Sequence, residues 1–175
     1  TYAQLDRRAR AIAARLTELE MRGERVLLLF PPGLDFVVGF FGCMYAGAVA
    51  VPAYPPRRNR YMARIEAMSE DAQAKAALTV QSVLDRTQGM LDEAPTLQRA
   101  AWITTDQVDE AAGEGWQRPK VASDAMAVMQ YTSGSTGTPK GVVLSHSNLI
   151  ANCQIITESF QPSRESVGMN WLPNY

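Results

Sequence analysis

The chain has 175 residues, 46% hydrophobic and 20% charged, and its 17 Lys and Arg nearly balance its 18 Asp and Glu. This composition is typical of a globular domain and excludes disordered, collagen-like and coiled-coil classes. The formal net charge of −1 gives no overall field for nucleic acid or an anionic membrane, so neither is expected as a partner. The first residues show no targeting leader, and we expect the chain to be part of a longer protein.

The first predicted element is an amphipathic helix. Thr1 and Gln4 have the spacing of a capping box, and the apolar residues that follow recur at helical intervals on one face. After a turn at Gly23, residues 25–30 (RVLLLF) form a short apolar run that is typical of a strand buried on both faces.

The same alternation then continues to residue 104. We predict helices over residues 34–46, 61–73 and 82–93, and strands over residues 48–53, 76–80 and 100–104. Strands and helices that alternate at this spacing predict an α/β fold with a mostly parallel sheet. Residues 36–54 lack charge but are interrupted by glycines and bracketed by Pro-Pro pairs, so no membrane span is predicted.

The composition of the chain changes after residue 104. Residues 105–123 are rich in Gly, Glu, Gln and Asp and are predicted to form a connecting loop. Strands over residues 125–131 and 141–144, a helix with apolar periodicity after residue 148, and a strand over 167–172 follow. The expected organisation is an alternating α/β region (1–104), a loop (105–123) and a second region (124–175).

The two cysteines, Cys43 and Cys153, are far apart and set among apolar residues. This usage favours two buried thiols in a reducing compartment over a disulfide framework, so we expect a cytoplasmic protein.

A hydroxyl-rich segment lies between the strands 125–131 and 141–144. Five of the seven residues 132–138 carry hydroxyls and the other two are glycines, which bring backbone N–H groups close to an anion. Lys140 adds a full positive charge, and the hydroxyls can also face a magnesium ion. The predicted phosphate-binding residues are Thr132, Ser133, Gly134, Ser135, Thr136, Gly137, Thr138 and Lys140.

Two other interpretations of this segment, a flexible linker and a Walker A loop, fit the sequence less well. A flexible Ser/Gly linker is not usually held between two apolar strands, nor does it usually end in Pro-Lys-Gly. A Walker A loop needs a Gly-Lys pair beginning five residues after its first glycine, whereas Gly134 is followed at that spacing by Pro139. A strand also follows Lys140, so the segment is predicted to be the tip of a hairpin over phosphates.

The sequence YTSGSTGTPKG (131–141) followed by VVLSHSN resembles the signature of the acyl-adenylate-forming superfamily. Residues 31–57 resemble its fatty acyl-AMP ligase branch, and NWLPNY (170–175) resembles the lead-in to an active-site segment of that branch. The resemblance covers the whole chain and implies the N-terminal part of the large, AMP-binding domain of such an enzyme.

The resemblance also implies a reaction. A long-chain fatty acid would be activated with ATP and Mg²⁺ to an acyl-adenylate, pyrophosphate would leave, and the acyl group would pass to the thiol of an acyl carrier protein, as in polyketide or lipopeptide biosynthesis. By position, the loop would hold the β- and γ-phosphates, Lys140 would be catalytic, and Thr132 or Thr136 would face the metal.

Two alternatives stay open on the sequence: a fatty acyl-CoA synthetase, with CoA as the acceptor, and a non-catalytic nucleotide-binding module. The resemblance also implies that these 175 residues alone are inactive, because a downstream histidine, an acidic metal ligand and a C-terminal domain are missing. His146 is the only histidine and is predicted to be structural, with a helix cap at Ser147 or Asn148. Arg57, Arg58 and Arg60 are interpreted as a solvated loop, and Trp171 as a core residue.

Overall fold

The computed structural model describes residues 1–56, 62–132 and 140–168. In this part of the chain, helices and strands alternate through most of the sequence. The helices are α1 (Tyr2–Glu18), α2 (Leu34–Ala46), α3 (Met62–Ala72), α4 (Gln81–Gln88), α5 (Pro95–Arg99) and α6 (His146–Phe160). The strands are β1 (Arg25–Leu29), β2 (Val49–Ala53), β3 (Ala76–Thr79), β4 (Ala101–Thr104), β5 (Met126–Thr132) and β6 (Lys140–Ser145).

All six strands belong to one sheet in the order β4-β3-β1-β2-β5-β6. The first five are parallel to their neighbours, and only β6 runs antiparallel, against β5. The predicted α/β class and mostly parallel sheet are therefore confirmed. The two strands predicted on either side of the hydroxyl-rich segment also form an antiparallel pair, β5 and β6.

The centre of the sheet is buried on both faces, as the apolar run in β1 predicted. Val26 and Leu28 point to one face and Leu27 and Leu29 to the other, and all four are fully buried. Each such side chain contributes roughly 1.5–3 kcal/mol by leaving water, so the burial of β1 stabilises the fold.

Helices cover the two faces unequally. The first face holds the larger core, to which α1 contributes Ile12 and Leu16 and α2 contributes Val38 and Cys43. The second face is covered by α3 and α5, whose buried residues include Ile65, Ala72 and Leu97. This division places α3 on the same side of the sheet as Tyr131 of β5, which packs against the second core.

Glycines allow two features of α2. Gly47 ends the helix in a left-handed conformation with φ 69°, as predicted. Gly42 lies where α1 and α2 come together: a Cβ atom at this position would lie 2.5 Å from Cγ2 and 2.7 Å from Cβ of Ile12. The two helices can therefore approach this closely only because residue 42 has no side chain.

Residues 105–123 contain one short 3₁₀ helix, Glu110–Gly113, and no other helix or strand. This helix packs on α1, because a Cβ at Gly113 would lie 2.7 Å from the backbone nitrogen of Ala11. Trp116 stacks on Tyr45 of α2, with ring centroids 5.3 Å apart and an interplanar angle of 15°. The segment is thus a packed connection along α1 and α2.

Two predictions of local structure need correction, and one helix was not predicted. The helix predicted over 82–93 ends at Gln88 and is followed by a 3₁₀ turn, Leu91–Glu93, and by α5, which the sequence analysis missed. Glu66 of α3 fixes the start of α5 by accepting hydrogen bonds from the backbone N–H groups of Thr96 and Leu97 at 2.7 and 3.2 Å. This contact across 30 residues is not visible in the local pattern. In the strand predicted over 167–172, residues 167 and 168 lie outside any strand, and 169–172 lie outside the described residues.

The prediction of two buried thiols is correct for one of them. Cys43 is fully buried in α2, whereas Cys153 is exposed on α6. The apolar periodicity around Cys153 predicted a helix with a covered face, but none of the side chains of α6 is buried against the described part of the chain. Across the described ranges, no helix is long and apolar enough to cross a bilayer.

Candidate functional site

The predicted phosphate loop starts and ends at the carboxyl edge of the parallel strands. Strand β5 lies parallel to β2, so Thr132 at its end is on the same edge of the sheet as the end of β2 at Ala53. Strand β6 starts at this edge with Lys140 because it runs in the opposite direction. Ligands of open α/β sheets bind at the carboxyl ends of the strands, so Thr132 and Lys140 lie on the edge where a ligand site is expected.

Thr132 and Lys140 are brought together as a cross-strand pair. They face each other in the register of β5 and β6, and both are exposed. The hydroxyl of Thr132 and the ammonium group of Lys140 are thus available to a ligand at the top of the hairpin. The other predicted site residues, Ser133, Gly134, Ser135, Thr136, Gly137 and Thr138, lie outside the described residues.

Next to this pair, Tyr131 connects the hairpin to α3. Its hydroxyl donates a hydrogen bond to the carboxylate of Asp71 and lies 3.5 Å from the carbonyl oxygen of Met68. Burial of the ring raises the pKa of Tyr131, and the hydrogen bond to Asp71 and the negative charge of that carboxylate raise it further. Tyr131 is therefore a neutral hydrogen-bond donor at physiological pH.

The Tyr131–Asp71 contact was not predicted. Tyr131 is the first residue of the signature segment, but its partner lies 60 positions earlier in the chain. Only the packing of α3 against the sheet brings the two residues together. The sequence contained one usable signal, a tyrosine at the end of an apolar strand directly before the hydroxyl-rich loop.

Gly141 gives the Tyr131 ring its space. The two residues face each other across the hairpin, and a Cβ atom at Gly141 would lie 3.2 Å from Cζ of Tyr131. The same atom would lie 3.1 Å from Cγ of Met129. The glycine that ends the Pro-Lys-Gly sequence thus serves packing beside the loop.

His146 lies far from the loop. It is the first residue of α6 and follows the end of β6, at the opposite edge of the sheet from Lys140. Six residues of extended strand separate the two positions, a distance of roughly 20 Å. This position favours the structural interpretation of His146. Its Nε2 atom is buried and has no hydrogen-bond partner among the described residues.

The cap of α6 differs from the prediction. Ser145 is the N-cap, and its hydroxyl accepts a hydrogen bond from the backbone N–H of Asn148. The Asn148 side chain in turn accepts one from the backbone N–H of Ser145, at 3.0 Å. The prediction of Ser147 or Asn148 as the cap was therefore wrong, because the helix begins two or three residues earlier, directly at the end of β6. Arg57, Arg58, Arg60 and Trp171 lie outside the described residues.

Comparison with known proteins gives a family match over the whole chain. The family described as AMP-binding enzyme matches residues 1–175. The chain is 44% identical over 179 residues to the medium-chain-fatty-acid–[acyl-carrier-protein] ligase JamA of Moorena producens, covering 100% of this chain and 30% of JamA. It is 35% identical over 174 residues to the long-chain-fatty-acid–AMP ligase FadD32 of Mycolicibacterium smegmatis, covering 99% and 28% of the two chains.

A solved structure has the same fold. The fatty acyl-adenylate ligase of L. pneumophila, in complex with acyl adenylate and pyrophosphate, is similar with a TM-score of 0.87 and 36% identity. The match covers 99% of this chain and 30% of that one, so the chain spans about a third of the length of such relatives. The relatives are fatty acyl-AMP ligases, as the resemblance of residues 31–57 implied. Because the family match extends over all 175 residues, the chain belongs to the AMP-binding enzyme family.

Proposed function

We propose that the full-length protein containing this chain activates a long-chain fatty acid with ATP. The carboxylate oxygen of the acid attacks the α-phosphorus of ATP, the bond to the bridging oxygen of pyrophosphate breaks, and an acyl-adenylate forms. The acyl group then passes to the thiol of an acyl carrier protein, and AMP leaves. The observation that carries this proposal is the pairing of Thr132 with Lys140 at the carboxyl edge of the sheet, in a chain similar to two fatty acid ligases.

The residues of the hairpin tip have complementary roles in this proposal. Lys140 neutralises negative charge on the phosphates, and the backbone N–H groups and hydroxyls of the loop bind the phosphate oxygens. These residues are Thr132, Ser133, Gly134, Ser135, Thr136, Gly137, Thr138 and Lys140. Such a site suits the reaction because displacement at phosphorus depends mostly on positioning and on stabilising spread negative charge.

Magnesium is part of the same proposal. A hydroxyl oxygen is a hard ligand of the kind that Mg²⁺ accepts, and the exposed Thr132 side chain fits that chemistry. Thr136 is the second candidate ligand. In the described ranges, no three His, Cys, Asp or Glu side chains are grouped to hold a metal. Within this chain, hydroxyl oxygens would hold the ion together with phosphate oxygens, and the acidic ligand implied by the resemblance would come from the rest of the enzyme. When bound, the ion would neutralise negative charge on the phosphates.

The acid and the acceptor in this proposal are inferred from the relatives. JamA acts on a medium-chain acid and FadD32 on a long-chain acid, so the chain length needs direct measurement. Transfer to a carrier protein is supported by the acceptor named for JamA. A cytoplasmic location belongs to the same proposal, since ATP and carrier proteins are present there.

The test uses the full-length protein with ATP, Mg²⁺ and fatty acids of medium and long chain, and measures pyrophosphate release. We expect release that depends on the acid, and acyl transfer to a phosphopantetheinylated carrier protein that is faster than transfer to CoA. Faster transfer to CoA would indicate a fatty acyl-CoA synthetase. No release with any acid would indicate a nucleotide-binding module without the chemistry.

The contribution of the loop is tested with Lys140→Ala. Loss of one charged donor to the reacting phosphates reduces kcat/KM by roughly 10²–10³. The matched control is Lys75→Ala, because Lys75 is also exposed but directly precedes β3 at the opposite edge of the sheet. A similar loss in both variants would contradict the assignment of the site to the carboxyl edge.

A further inference from the structure

The side-chain hydrogen bond between Tyr131 and Asp71 joins the two parts of the molecule that meet at the proposed ATP site. Tyr131 is the next-to-last residue of β5, directly before Thr132. Asp71 is in the last turn of α3. The Tyr131 hydroxyl donates to Oδ2 of Asp71 and also lies 3.5 Å from the carbonyl oxygen of Met68, one turn earlier in the same helix.

The helix end of this contact is firmly held. Ile65, Met68 and Ala72 of α3 are 2–4% exposed and pack toward the sheet. In addition, the Arg25 guanidinium donates a hydrogen bond to the carbonyl oxygen of Ala72 at 2.7 Å, which ties the end of α3 to the start of β1. Asp71 is therefore presented from a helix whose position is fixed by the core.

The hairpin end is held less firmly. Strand β5 is joined to β2 through the register pair Ala50 and Val128, several residues before the loop. On its other side β5 pairs with β6, in which the valines Val142 and Val143 are 46% and 48% exposed. Near the loop, the described contacts that connect β5 to the packed helices are those of Tyr131 and of Met129, both partly buried against the second core.

We propose that Tyr131 is a positioning residue for ATP and that Asp71 is its anchor. By holding the end of β5 against α3, the pair fixes the hairpin stem that carries Thr132 and Lys140. Gly141, opposite Tyr131, leaves the space that the ring needs to reach α3. Neither residue touches the nucleotide in this proposal; they act through the position of Thr132 and Lys140. The inference rests on the proposed function, because it assigns the hairpin stem to ATP.

The test compares four single variants and one double variant of the full-length protein by acid-dependent pyrophosphate release, with KM measured separately for ATP and for the fatty acid. Tyr131→Phe removes the hydroxyl and keeps the ring, and Asp71→Ala removes the acceptor. Asp71→Asn keeps an oxygen that can accept from the hydroxyl. Glu70→Ala is the matched control, because Glu70 is the neighbouring exposed carboxylate on the same helix.

Loss of one such hydrogen bond is expected to raise the KM for ATP roughly three- to tenfold in Tyr131→Phe and in Asp71→Ala. The double variant Tyr131→Phe with Asp71→Ala is expected to be no worse than either single variant, since both remove the same contact. Asp71→Asn and Glu70→Ala are expected to stay within about twofold of the unchanged protein, and the KM for the acid is expected to stay constant.

Other outcomes would contradict the inference or the proposed function. An unchanged KM for ATP in Tyr131→Phe would overturn the inference. So would a parallel rise in both KM values with a lower melting temperature, which indicates a general loss of structure. Impairment of Asp71→Asn equal to that of Asp71→Ala would also overturn the inference, because the asparagine keeps an acceptor for the hydrogen bond. Absence of pyrophosphate release by the unchanged protein would refute the proposed function, and the inference with it.

Discussion

The central strands and the β5–β6–α6 region differ in how completely the chain covers them. In β1, four of five residues are fully buried, and helices pack on both faces of the sheet. In the other region, Ile155 and Phe160 of α6 are 60% and 79% exposed, and the two valines of β6 are about half exposed. The described part of the chain thus builds a closed core next to an open apolar surface.

The difference shows that the proposed site lies at the boundary between the two regions. Ala127 and Val128 at the start of β5 are only 0% and 4% exposed, and they attach the hairpin to the core. Farther along, the hairpin extends beyond that support to Thr132 and Lys140. The position of the site is therefore set by the first region, whereas its ligand groups are supplied by the second.

The largest expected difference between the two regions is in the reaction rates of their cysteines. Cys43 is in the core, where burial raises the pKa of its thiol, and Cys153 is exposed on α6. Since the thiolate is the reactive form, we expect an aromatic disulfide reagent to label Cys153 in the folded chain. Cys43 should react at least about 10³-fold more slowly, because its thiol becomes accessible to the reagent only when the chain unfolds. Absorbance of the released thiol measures both rates, and Cys153→Ser identifies the fast one. Equal rates would show that α2 is not part of a closed core.

Truncation of one aliphatic side chain in each region is the second test. Leu28→Ala leaves a cavity at a fully buried position and should lower the free energy of unfolding by about 2–5 kcal/mol. Ile155→Ala removes an exposed side chain from a helix and should change the free energy by less than about 0.5 kcal/mol. Urea unfolding of the 175-residue chain followed by circular dichroism measures both. A loss of more than about 2 kcal/mol from Ile155→Ala would mean that α6 is covered in solution.

The smallest expected difference between the two regions is in the free energy of unfolding lost when a glycine is replaced by alanine. In Gly42→Ala the new Cβ meets Ile12 at 2.5 Å, and the branched Ile12 side chain is fully buried and cannot turn aside. The clash costs roughly 2–3 kcal/mol, and the better helix propensity of alanine returns about 1 kcal/mol, so a net loss of about 1–2 kcal/mol is expected.

Gly141→Ala is the counterpart in the hairpin. Its Cβ would press on the flexible side chain of Met129 at 3.1 Å and on the Tyr131 ring. Because a methionine side chain can adjust, the expected change is below about 1 kcal/mol. The same urea titrations report both values. If Gly141→Ala proved more costly than Gly42→Ala, the hairpin would be packed more tightly than the contact between α1 and α2.

Much of the fold was predictable because its signals are local. The run RVLLL identified β1, Gly47 identified the end of α2, and the alternation of helices and strands identified a mostly parallel sheet. One error occurred where a distant group determines the local structure, because Glu66 fixes the start of α5 across 30 residues. The error in the cap of α6 has no such cause, since the capping box of Ser145 and Asn148 is local and the prediction placed the cap two or three residues too late.

For the candidate site, the sequence by itself determined the prediction of a phosphate site. A segment rich in hydroxyls and glycines, held between two apolar strands and followed by Lys140, predicts such a site because hydroxyls, backbone N–H groups and an ammonium group are the groups that bind phosphate oxygens when they converge. The tertiary structure decided where the two ends of that segment lie and what holds them. It paired Thr132 with Lys140 at the carboxyl edge, placed His146 at the opposite edge, and joined Tyr131 to Asp71. The physical reason is that these distances follow from strand order, strand direction and helix packing, which depend on contacts between residues far apart in the chain.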